Sequence, residues 1–455
     1  MRRIWLAALC LLPTLAQAQE STDAYVQRLM AKWHVPGASI AVVKDGKVEL
    51  LKGYGKASVE LDVPATPGTV YQLASVTKPF TATAIMLLVR DGKLGLDDKL
   101  TALIPDLPKV WDAITVRHLL AHTSGIKNLT GRKDFAESIR KDFTPRELVA
   151  TVAQEPLEFP PGEKHAYSNT GYILLGMVIE KVGGRPYGEF MAERIFKPLG
   201  MAATRANDLR AVIPGRSQGY TWDGKELRLG EYHSATQPFA AGMLVSTAAD
   251  MIKWDAGLEK LLPAAESMWT PTPLATGKDA DYGLGWEVSR VNGHRMVSHG
   301  GGIPGFSTEL ARFPDDKLTV IVLLNSDGGQ AGLLARGIAG RFVPGLAEKT
   351  VPIEDKDPAT TARLRSLFAG VRRGEVDAGQ FTGEAKERLV PQIVQDKDRF
   401  ASFGELRSFD LLERDDSEGG ARLRYRVVFE KETLRIGVAL DKAGKIRGVG
   451  MRPGE

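Results

Sequence analysis

The chain has 455 residues, of which 43% are hydrophobic and 25% are charged, a composition typical of a globular protein and not of a disordered or fibrous one. Its 60 basic and 56 acidic residues nearly balance, so the charge gives no reason to expect nucleic acid or an acidic polymer as a partner. The single cysteine, Cys10, excludes an internal disulfide, and the length predicts more than one domain.

The N-terminus has the three parts of a secretory signal peptide. Two arginines at positions 2–3 precede an apolar run at 4–15, and the small-residue motif Ala16-Gln17-Ala18 follows. We therefore expect residues 1–18 to be cleaved after Ala18, which predicts a periplasmic or secreted mature chain without a cysteine and without a stable membrane anchor. An uncleaved anchor is the alternative, but the apolar run is too short to span a bilayer comfortably.

The next segment predicts a helix and then a β-hairpin. Apolar residues recur every four positions in residues 21–33 after a capping serine, as in an amphipathic helix. Two β-rich runs, at 40–43 and 48–51, flank the turn sequence Lys44-Asp45-Gly46-Lys47. An antiparallel sheet is therefore expected to open the domain.

An apolar stretch at residues 81–89 predicts a buried helix that begins near Ser75. Lys78 lies three residues after Ser75, and residues at this spacing share a helix face, so the amine can reach the hydroxyl. Burial and the positive end of the helix both lower a lysine pKa, which favours a neutral amine able to accept the serine proton. Backbone N–H groups at the helix start suit the oxyanion of acyl transfer. Because Ser-x-x-Lys also arises by chance, supporting residues must come from elsewhere.

Two histidines raise the alternative of a zinc hydrolase. A second helix is predicted over residues 114–125, with Gly125 as its stop signal. His118 and His122 are four residues apart, the spacing of two zinc ligands on one helix face. Leu119, however, occupies the position at which the zinc-protease signature has its glutamate. We interpret both histidines as structural and expect no metal and no other cofactor.

A tyrosine and an asparagine precede the next apolar helix, which is predicted over residues 173–182. Tyr167 and Asn169 flank one residue of an irregular segment, so both side chains can point into the same cleft. The tyrosine could then relay a proton, and the amide could bind a substrate carbonyl or hold Lys78. The alternative is a half-buried aromatic and a helix cap, and the residues alone leave both interpretations open.

The second half of the sheet is predicted within residues 282–324. Strands are expected at 296–299, 306–313 and 318–324. The run His299-Gly300-Gly301-Gly302 lies between two of them, where glycines allow a substrate backbone to approach and leave N–H groups free. A flexible connector is the alternative. A helix at residues 333–342 is expected to pack back on this sheet.

The C-terminal quarter of the chain has a different pattern of predicted elements from the rest. Residues 346–354 indicate a linker. A helix near residues 361–368 and four strands predict a small α+β domain over residues 355–455. This segment contains no histidine and no nucleophile constellation, so a structural or substrate-covering role is expected.

Three stretches together resemble a known superfamily. Ser75-Val76-Thr77-Lys78, Tyr167-Ser168-Asn169 and His299-Gly300-Gly301 follow in the order of the three motifs of the serine β-lactamases and penicillin-binding proteins. The chain is most similar to the class C-like branch of esterases, D-amino-acid peptidases and carboxypeptidases. The resemblance implies an α/β (α+β) β-lactamase-like fold over residues 19–345, with an antiparallel sheet flanked by helices, a mostly helical lobe, and the site between them.

The resemblance also implies a role for each motif residue. Ser75 is expected to be the acylated nucleophile, while Lys78 and Tyr167 transfer protons. Substrate binding is expected from Asn169, His299, Gly301 and Gly302. The backbone N–H groups of Ser75 and Gly302 are expected to form the oxyanion hole.

Two departures from the family pattern bear on the substrate. His299 stands where the penicillin-recognising members have lysine, and Gly300 replaces a small hydroxyl residue. A fixed positive charge and a hydroxyl for the carboxylate of a penicillin are thereby lost.

These patterns predict an exported, metal-independent serine hydrolase that cleaves an ester or amide (peptide) bond through a Ser75 acyl-enzyme. Its substrate is expected to be a small ester, an amide or a short peptide, with esterase or D-amino-acid peptidase activity favoured. A β-lactamase or a DD-carboxypeptidase acting on penicillin or peptidoglycan peptides is the alternative. A non-catalytic cell-wall or peptide-binding protein of the same fold is an alternative of another class. The sequence leaves the oligomeric state open.

Overall fold

The computed structural model describes residues 20–417 and 419–454. The predicted signal peptide, residues 1–18, lies outside the described residues. The chain divides into two compact units, Met1–Ala347 and Glu348–Glu455. The division falls within residues 346–354, the stretch that the sequence analysis interprets as a linker.

A seven-stranded antiparallel sheet is the centre of the first unit. Its strands, in chain order, are β1 (Gly37–Lys44), β2 (Lys47–Ser58), β3 (Val63–Pro64), β11 (Glu287–Val291), β12 (His294–Ile303), β13 (Phe306–Phe313) and β14 (Leu318–Leu324). The spatial order is β11-β12-β13-β14-β1-β2-β3, so the N-terminal hairpin pairs with the C-terminal one along β1 and β14. The β1–β2 turn has positive φ at Asp45 and Gly46, as a tight hairpin turn requires. The predicted hairpins are therefore present.

Helices cover both faces of this sheet and build a separate lobe. They are α1 (Thr22–Lys32), α2 (Thr77–Arg90), α3 (Leu100–Leu103), α4 (Val116–Leu120), α5 (Phe135–Ser138), α6 (Pro145–Ala150), α7 (Asn169–Gly183), α8 (Tyr187–Met191), α9 (Phe239–Gly242), α10 (Ala248–Leu261) and α11 (Ala331–Phe342). In β1, Ile40 and Val42 share one apolar core with α1 and α11, whereas Ala41 faces the core that contains α2 and α7. Strand alternation thus gives the sheet two buried faces.

Short strands complete the lobe. They are β4 (Tyr71–Gln72), β5 (Arg205–Ala206), β6 (Tyr220–Trp222), β7 (Leu227–Leu229), β8 (Leu244–Ser246), β9 (Thr272–Pro273) and β10 (Asp279–Ala280). They form a three-stranded sheet in the order β4-β8-β5 and two two-stranded ones. The N–H of Leu73, which follows β4, donates to the carbonyl of Leu244 in β8. This sheet therefore holds the segment just before Ser75.

Two predicted helices are shorter than expected. Ser75 is not in the first turn of α2 but in a single 3₁₀ turn, Ala74–Val76, directly before it. Ala74 has φ 47°, which is incompatible with an α-helix at this point. The predicted helix over residues 114–125 ends at Leu120, because His122 also takes a left-handed conformation, with φ 56°. His118 and His122 therefore do not share a helix face.

The second unit is a helix-and-sheet fold with its own apolar core. Its elements are α12 (Pro358–Val371), α13 (Gly383–Gln395), α14 (Lys397–Ser402), β15 (Leu406–Ser417), β16 (Gly420–Phe429), β17 (Thr433–Leu440) and β18 (Ile446–Pro453). The four predicted strands are present and pair in sequence order, which makes the sheet a meander. Helices α13 and α14 were not expected. Pro391 lies inside α13, and a proline within a helical pattern argues against a continuous helix in a sequence interpretation.

The described residues thus confirm the predicted fold class of antiparallel sheet, flanking helices, helical lobe and small C-terminal α+β unit. None of the helices in residues 20–417 and 419–454 has the length and apolar character needed to cross a lipid bilayer.

Candidate active site

The side chain of Lys78 is fully buried and points at Ser75. Its Nζ lies 3.0 Å from Ser75 Oγ, 2.9 Å from Asn169 Oδ1 and 2.7 Å from the carbonyl oxygen of Ala241. Burial lowers the pKa of Lys78 well below its usual value of 10.5. In the neutral amine, two N–H groups serve the two carbonyl oxygens, because these can only accept. The lone pair then faces Ser75 Oγ, which is the geometry of a base that removes the serine proton.

The 3₁₀ turn holds Ser75 in a strained but well-anchored position. The left-handed conformation of Ala74 costs roughly 1–2 kcal/mol for a residue with a Cβ. The segment is fixed by the hydroxyl of Thr308 in β13, which donates to the Leu73 carbonyl over 2.8 Å. A strained turn at a candidate nucleophile is the kind of site at which folds retain strain for function.

Tyr167 lies at the end of the loop before α7, and Asn169 is the first residue of that helix. The Tyr167 hydroxyl is hydrogen-bonded to Ser75, and burial raises the pKa of Tyr167 above its usual range. Asn169 is the first residue of α7, but the cap is the side chain of Ser168, which accepts from the Gly171 N–H. Asn169 is therefore free to bind Lys78 through Oδ1 while its Nδ2 donates to Thr130 Oγ1 over 3.3 Å. The structure thus places both residues around Ser75 and Lys78.

His122 supports this loop. Its Nδ1 accepts a hydrogen bond from the Ser168 N–H over 3.1 Å, and its carbonyl accepts one from the Ala166 N–H. Its ring lies 4.3 Å from the ring of Tyr167. His122 is therefore a structural residue that fixes the segment carrying Tyr167.

The positions of His118 and His122 do not give the zinc hydrolase alternative a set of metal ligands. His118 Nδ1 accepts from the N–H of Thr115 over 3.2 Å, and His122 Nδ1 is bonded to Ser168. In the described residues, no group of three or more His, Cys, Asp and Glu side chains is arranged to hold an ion.

His299 is buried and neutral. Its Nδ1 lies 2.7 Å from the carbonyl of Gly300, which fixes Nδ1 as the donor, and its Nε2 lies 3.0 Å from the hydroxyl of Tyr282. Burial lowers the pKa of His299 to about 3. With 1% of its surface exposed, the ring is not among the side chains that line the cleft beside Ser75. His299 therefore supplies no positive charge to a bound substrate.

The glycines after His299 form the wall of the site opposite α2. Residues 299–303 of β12 pair with β13 on one side. On the other side the pairing of β12 with β11 ends at Ser298, so no strand of the described residues pairs with this edge of residues 299–303. A methyl group at Gly301 would lie 2.3 Å from the Leu73 oxygen and 3.1 Å from the Ser75 nitrogen. Only glycine allows this close approach. Gly302 lines the cleft directly.

A cleft of about 250 Å³ opens beside Ser75. Its walls are mainly apolar, and none of the lining side chains is a lysine, arginine, aspartate or glutamate. The lining consists of Ala74, Ser75, Leu129, Thr130, Phe135, Ile139, Asn169, Ile173, His233, Gln237, Pro238, Ala241, Gly242, Gly302, Ile303 and Pro304.

Several residues of this arrangement were missed from the sequence. The carbonyl of Ala241 binds Lys78, and the hydroxyl of Tyr282 binds His299. A backbone carbonyl carries no residue-type signal. The stretch that begins at Tyr282 resembles the family and starts the predicted strand region, but neither pattern gives Tyr282 a role. Gln237 and Thr130 carry no motif of their own.

The family whose model matches this chain is named Beta-lactamase, and the match covers residues 22–341. The chain belongs to the beta-lactamase family. Because the family groups the serine β-lactamases with the penicillin-binding proteins, the predicted superfamily is confirmed. Membership supports serine hydrolase chemistry in general and leaves the bond and the substrate to be determined.

Relatives within the beta-lactamase family agree with this assignment. The chain is 32% identical over 316 residues to penicillin-binding protein 4* of Bacillus subtilis (strain 168). The matched region covers 65% of this chain and 69% of that protein. Protein flp of Staphylococcus aureus (strain COL) is 29% identical over 366 residues, covering 77% and 70% of the two chains.

Two solved structures are similar over most of their length. The octameric penicillin-binding protein homologue from Pyrococcus abyssi is 26% identical, with a TM-score of 0.63 over 95% of this chain and 96% of that one. A D-stereospecific amidohydrolase from Streptomyces sp. is 29% identical, with a TM-score of 0.61 over 71% of this chain and 99% of that one. The amidohydrolase matches a part of the chain similar in size to the first unit, whereas the Pyrococcus protein extends over nearly the whole chain.

Proposed function

We propose that the protein is an exported serine hydrolase that cleaves an ester or amide bond through an acyl-enzyme on Ser75. The observation that carries this proposal is the set of three contacts made by the buried Lys78 amine. Two are to carbonyl oxygens, of Asn169 and Ala241, which can only accept hydrogen bonds, and the third is to Ser75 Oγ. A binding protein needs no such activated hydroxyl. Export rests on the signal-peptide pattern of residues 1–18, with a periplasmic or secreted mature chain.

In acylation, Ser75 Oγ attacks the carbonyl carbon while Lys78 takes its proton. The N–H groups of Ser75 and Gly302 hold the resulting oxyanion. The tetrahedral intermediate then expels the leaving group. The Tyr167 hydroxyl gives its proton to this group, and Lys78 passes the proton taken from Ser75 to the phenolic oxygen of Tyr167. Water attacks the ester of Ser75 in deacylation, with the same groups moving its proton.

The two candidate bases differ in how burial acts on them. Burial lowers the pKa of Lys78 and raises that of Tyr167, so both favour their uncharged forms. A neutral amine can accept a proton, whereas a neutral phenol must first lose one. Lys78 is therefore the base in this proposal, and Tyr167 is the group that passes the proton on.

The substrate is proposed to be a small ester, amide or short peptide whose acyl group carries no carboxylate. His299 is neutral, and the lining of the cleft carries no charged side chain that would bind a carboxylate. This supports esterase or peptidase activity over β-lactamase or DD-carboxypeptidase activity. The relatives named as an amidohydrolase and as penicillin-binding proteins make both classes worth testing.

The test is the intact mass of the purified mature protein after incubation with p-nitrophenyl acetate, penicillin, a D-Ala-D-Ala peptide and a fluorophosphonate. We expect ester turnover and a fluorophosphonate adduct, both lost in Ser75→Ala, with turnover reduced at least about 10⁴-fold. Ser402→Ala, in the second unit, is the matched control and should behave as the wild type. If every reagent leaves the wild-type mass unchanged and no substrate is consumed, the binding-protein alternative replaces this proposal.

A further inference from the structure

One amide side chain in the cleft is held in a fixed orientation. Gln237 is 4% exposed and lies four residues before Ala241, whose carbonyl binds Lys78. Its Nε2 donates to the carbonyl oxygens of Ser138 and Lys141, over 2.5 and 2.8 Å. Both N–H bonds of the amide are therefore used, and the two carbonyl partners exclude the flipped orientation, because an oxygen could not donate to them.

The oxygen of this amide is left without a partner. Oε1 of Gln237 receives no hydrogen bond from any group in residues 20–417 and 419–454. Since Gln237 lines the cleft, Oε1 is the polar atom that it offers there. Oε1 is not among the fully buried unpartnered atoms, so water in the open cleft reaches it. A ligand that displaces this water leaves the oxygen unpaired, which is unfavourable, unless the ligand brings a donor of its own.

The surroundings of Gln237 restrict what this donor can belong to. Phe135, Ile139 and Ile173 give the cleft an apolar wall. Burial lowers the pKa of His233 to about 4, so this neighbouring imidazole is uncharged near neutral pH. The other amide of the lining, Asn169, is already bonded to Lys78 and Thr130. The volume of about 250 Å³ is below the roughly 300–1,000 Å³ of clefts that hold drug-sized ligands, which fits a group the size of one amino-acid residue.

We propose that Gln237 is a specificity-determining residue, whose Oε1 accepts a hydrogen bond from an N–H group on the acyl part of the substrate. The cleft then selects acyl groups that combine an apolar side chain with an N–H donor, as in an aminoacyl ester or amide. An acyl group with a carboxylate at this position meets the amide oxygen and is rejected. The inference rests on the proposed Ser75 hydrolase function and adds the acyl specificity of that site.

The test compares benzyl thioesters of matched acyl groups, in both enantiomers where they exist. The groups are phenylalanyl, with an ammonium; N-acetylphenylalanyl, with an amide N–H; 3-phenylpropionyl, with no nitrogen; and 2-benzylsuccinyl, acylated through the carbonyl next to the benzyl-bearing carbon, with a carboxymethyl group in place of the amino group. We expect kcat/KM for the better nitrogen-bearing group to exceed that of 3-phenylpropionyl at least about tenfold, since a site built to bond a donor rejects the analogue that lacks it. The 2-benzylsuccinyl thioester should be the poorest substrate. Which of the first two is preferred shows whether an ammonium or an amide is the donor.

The variant Gln237→Met keeps the length of the side chain and removes the oxygen. It should bring the ratio between the nitrogen-bearing and nitrogen-free substrates to within about threefold of unity. Gln237→Met also removes Nε2 and its hydrogen bonds to the carbonyls of Ser138 and Lys141. That structural loss by itself would lower kcat/KM for all acyl groups alike and keep the wild-type ratio, so a ratio near unity reports the loss of the oxygen.

A wild-type enzyme without the preference, or a Gln237→Met enzyme that keeps it, would overturn the inference. The same holds if p-nitrophenyl acetate acylates Ser75 but none of the thioesters reacts. Absence of every reaction at Ser75, including that with the fluorophosphonate, would instead remove the proposed function itself, so the two failures are distinct.

Discussion

Each of the two compact units of the chain buries a basic side chain, Lys78 in the first and Arg435 in the second, and the two differ in their partners. In the first unit Lys78 is fully buried, and in the described residues no carboxylate forms an ion pair with it, so burial favours the neutral amine. In the second unit Arg435 is the buried polar side chain of the described part, and it forms an ion pair with Glu348 over 3.4 Å. A buried cation with an acidic partner is favoured in its charged form, whereas burial without such a partner favours the neutral amine, which can accept a proton. The comparison supports the first unit as the location of the proposed chemistry.

The strongest test of this contrast replaces each buried cation by methionine. Lys78→Met should lower kcat/KM for p-nitrophenyl acetate about 10³-fold, within the range for loss of a general base. Its free energy of unfolding should stay within about 1–3 kcal/mol of the wild type, because burial of an apolar side chain offsets the loss of the donor to Asn169 Oδ1 and the Ala241 carbonyl. The wild-type pH–rate profile should have an ascending limb below the usual lysine pKa of 10.5, and the variant should lack it.

Arg435→Met is the counterpart in the second unit. We expect unchanged ester hydrolysis and a free energy of unfolding lower by about 1–3 kcal/mol, since Glu348 loses a partner. Chemical denaturation followed by circular dichroism measures the loss. Normal activity in Lys78→Met, or loss of activity in a folded Arg435→Met, would contradict the contrast.

The second prediction concerns two strand glycines, one in each unit. Gly301→Ala places a methyl group against the Leu73 oxygen and near the Ser75 nitrogen, so the oxyanion hole should be displaced. We expect kcat to fall about 10²-fold, as for loss of one oxyanion donor. At Gly450 in β18 a methyl group meets no atom within 4 Å, and Gly450→Ala should leave both activity and stability near wild type. Equal kinetics for Gly301→Ala and wild type would show that the close approach to Ser75 does not matter.

The third prediction concerns the pH dependence of stability in the first unit. Burial raises the pKa of Glu309 from 4.5 to about 8. Between these values the folded chain holds a proton that the unfolded chain has released, so the free energy of unfolding should fall as pH rises, by up to about 1.4 kcal/mol per pH unit. Glu309→Gln should flatten this slope, which urea denaturation at pH 5, 6, 7 and 8 measures.

In the second unit, Asp357 should contribute a pH dependence of the free energy of unfolding with the opposite sign. Hydrogen bonds from Thr360 lower the pKa of the Asp357 carboxyl, so its contribution is present at neutral pH and is lost as the pH falls through the lowered pKa. Asp357→Asn should therefore change stability mainly on the acid side. A Glu309→Gln protein with the same slope as wild type between pH 5 and 8 would assign the dependence to other groups.

The local parts of the site were predictable because short-range geometry fixes them. Spacing alone placed Lys78 next to Ser75, and the contact is 3.0 Å. Of the two alternatives left open for Asn169, the helix cap does not hold, since Ser168 takes that position and leaves the Asn169 amide for Lys78. Choosing between the two roles requires knowing that Lys78 lies across the cleft, a contact between residues 91 positions apart.

Failures of the sequence interpretation have a common physical origin. The helix predicted through His122 stops at Leu120 because His122 is held in a left-handed conformation, with its Nδ1 bonded to Ser168 of a distant loop. The late start of α2 follows likewise from the conformation of Ala74, next to a carbonyl held by Thr308. In both cases a tertiary hydrogen bond accompanies a backbone conformation that local propensity disfavours.

The sequence by itself determined the strands, the main helices and the order of the three motifs, because side-chain periodicity and turn residues act over a few positions. Only the tertiary structure decided the state of the reactive groups. The neutral forms of Lys78 and His299 and the open oxygen of Gln237 depend on burial and on partners far away in the chain. Desolvation is a property of the assembled cleft, so no residue type in the sequence reports it.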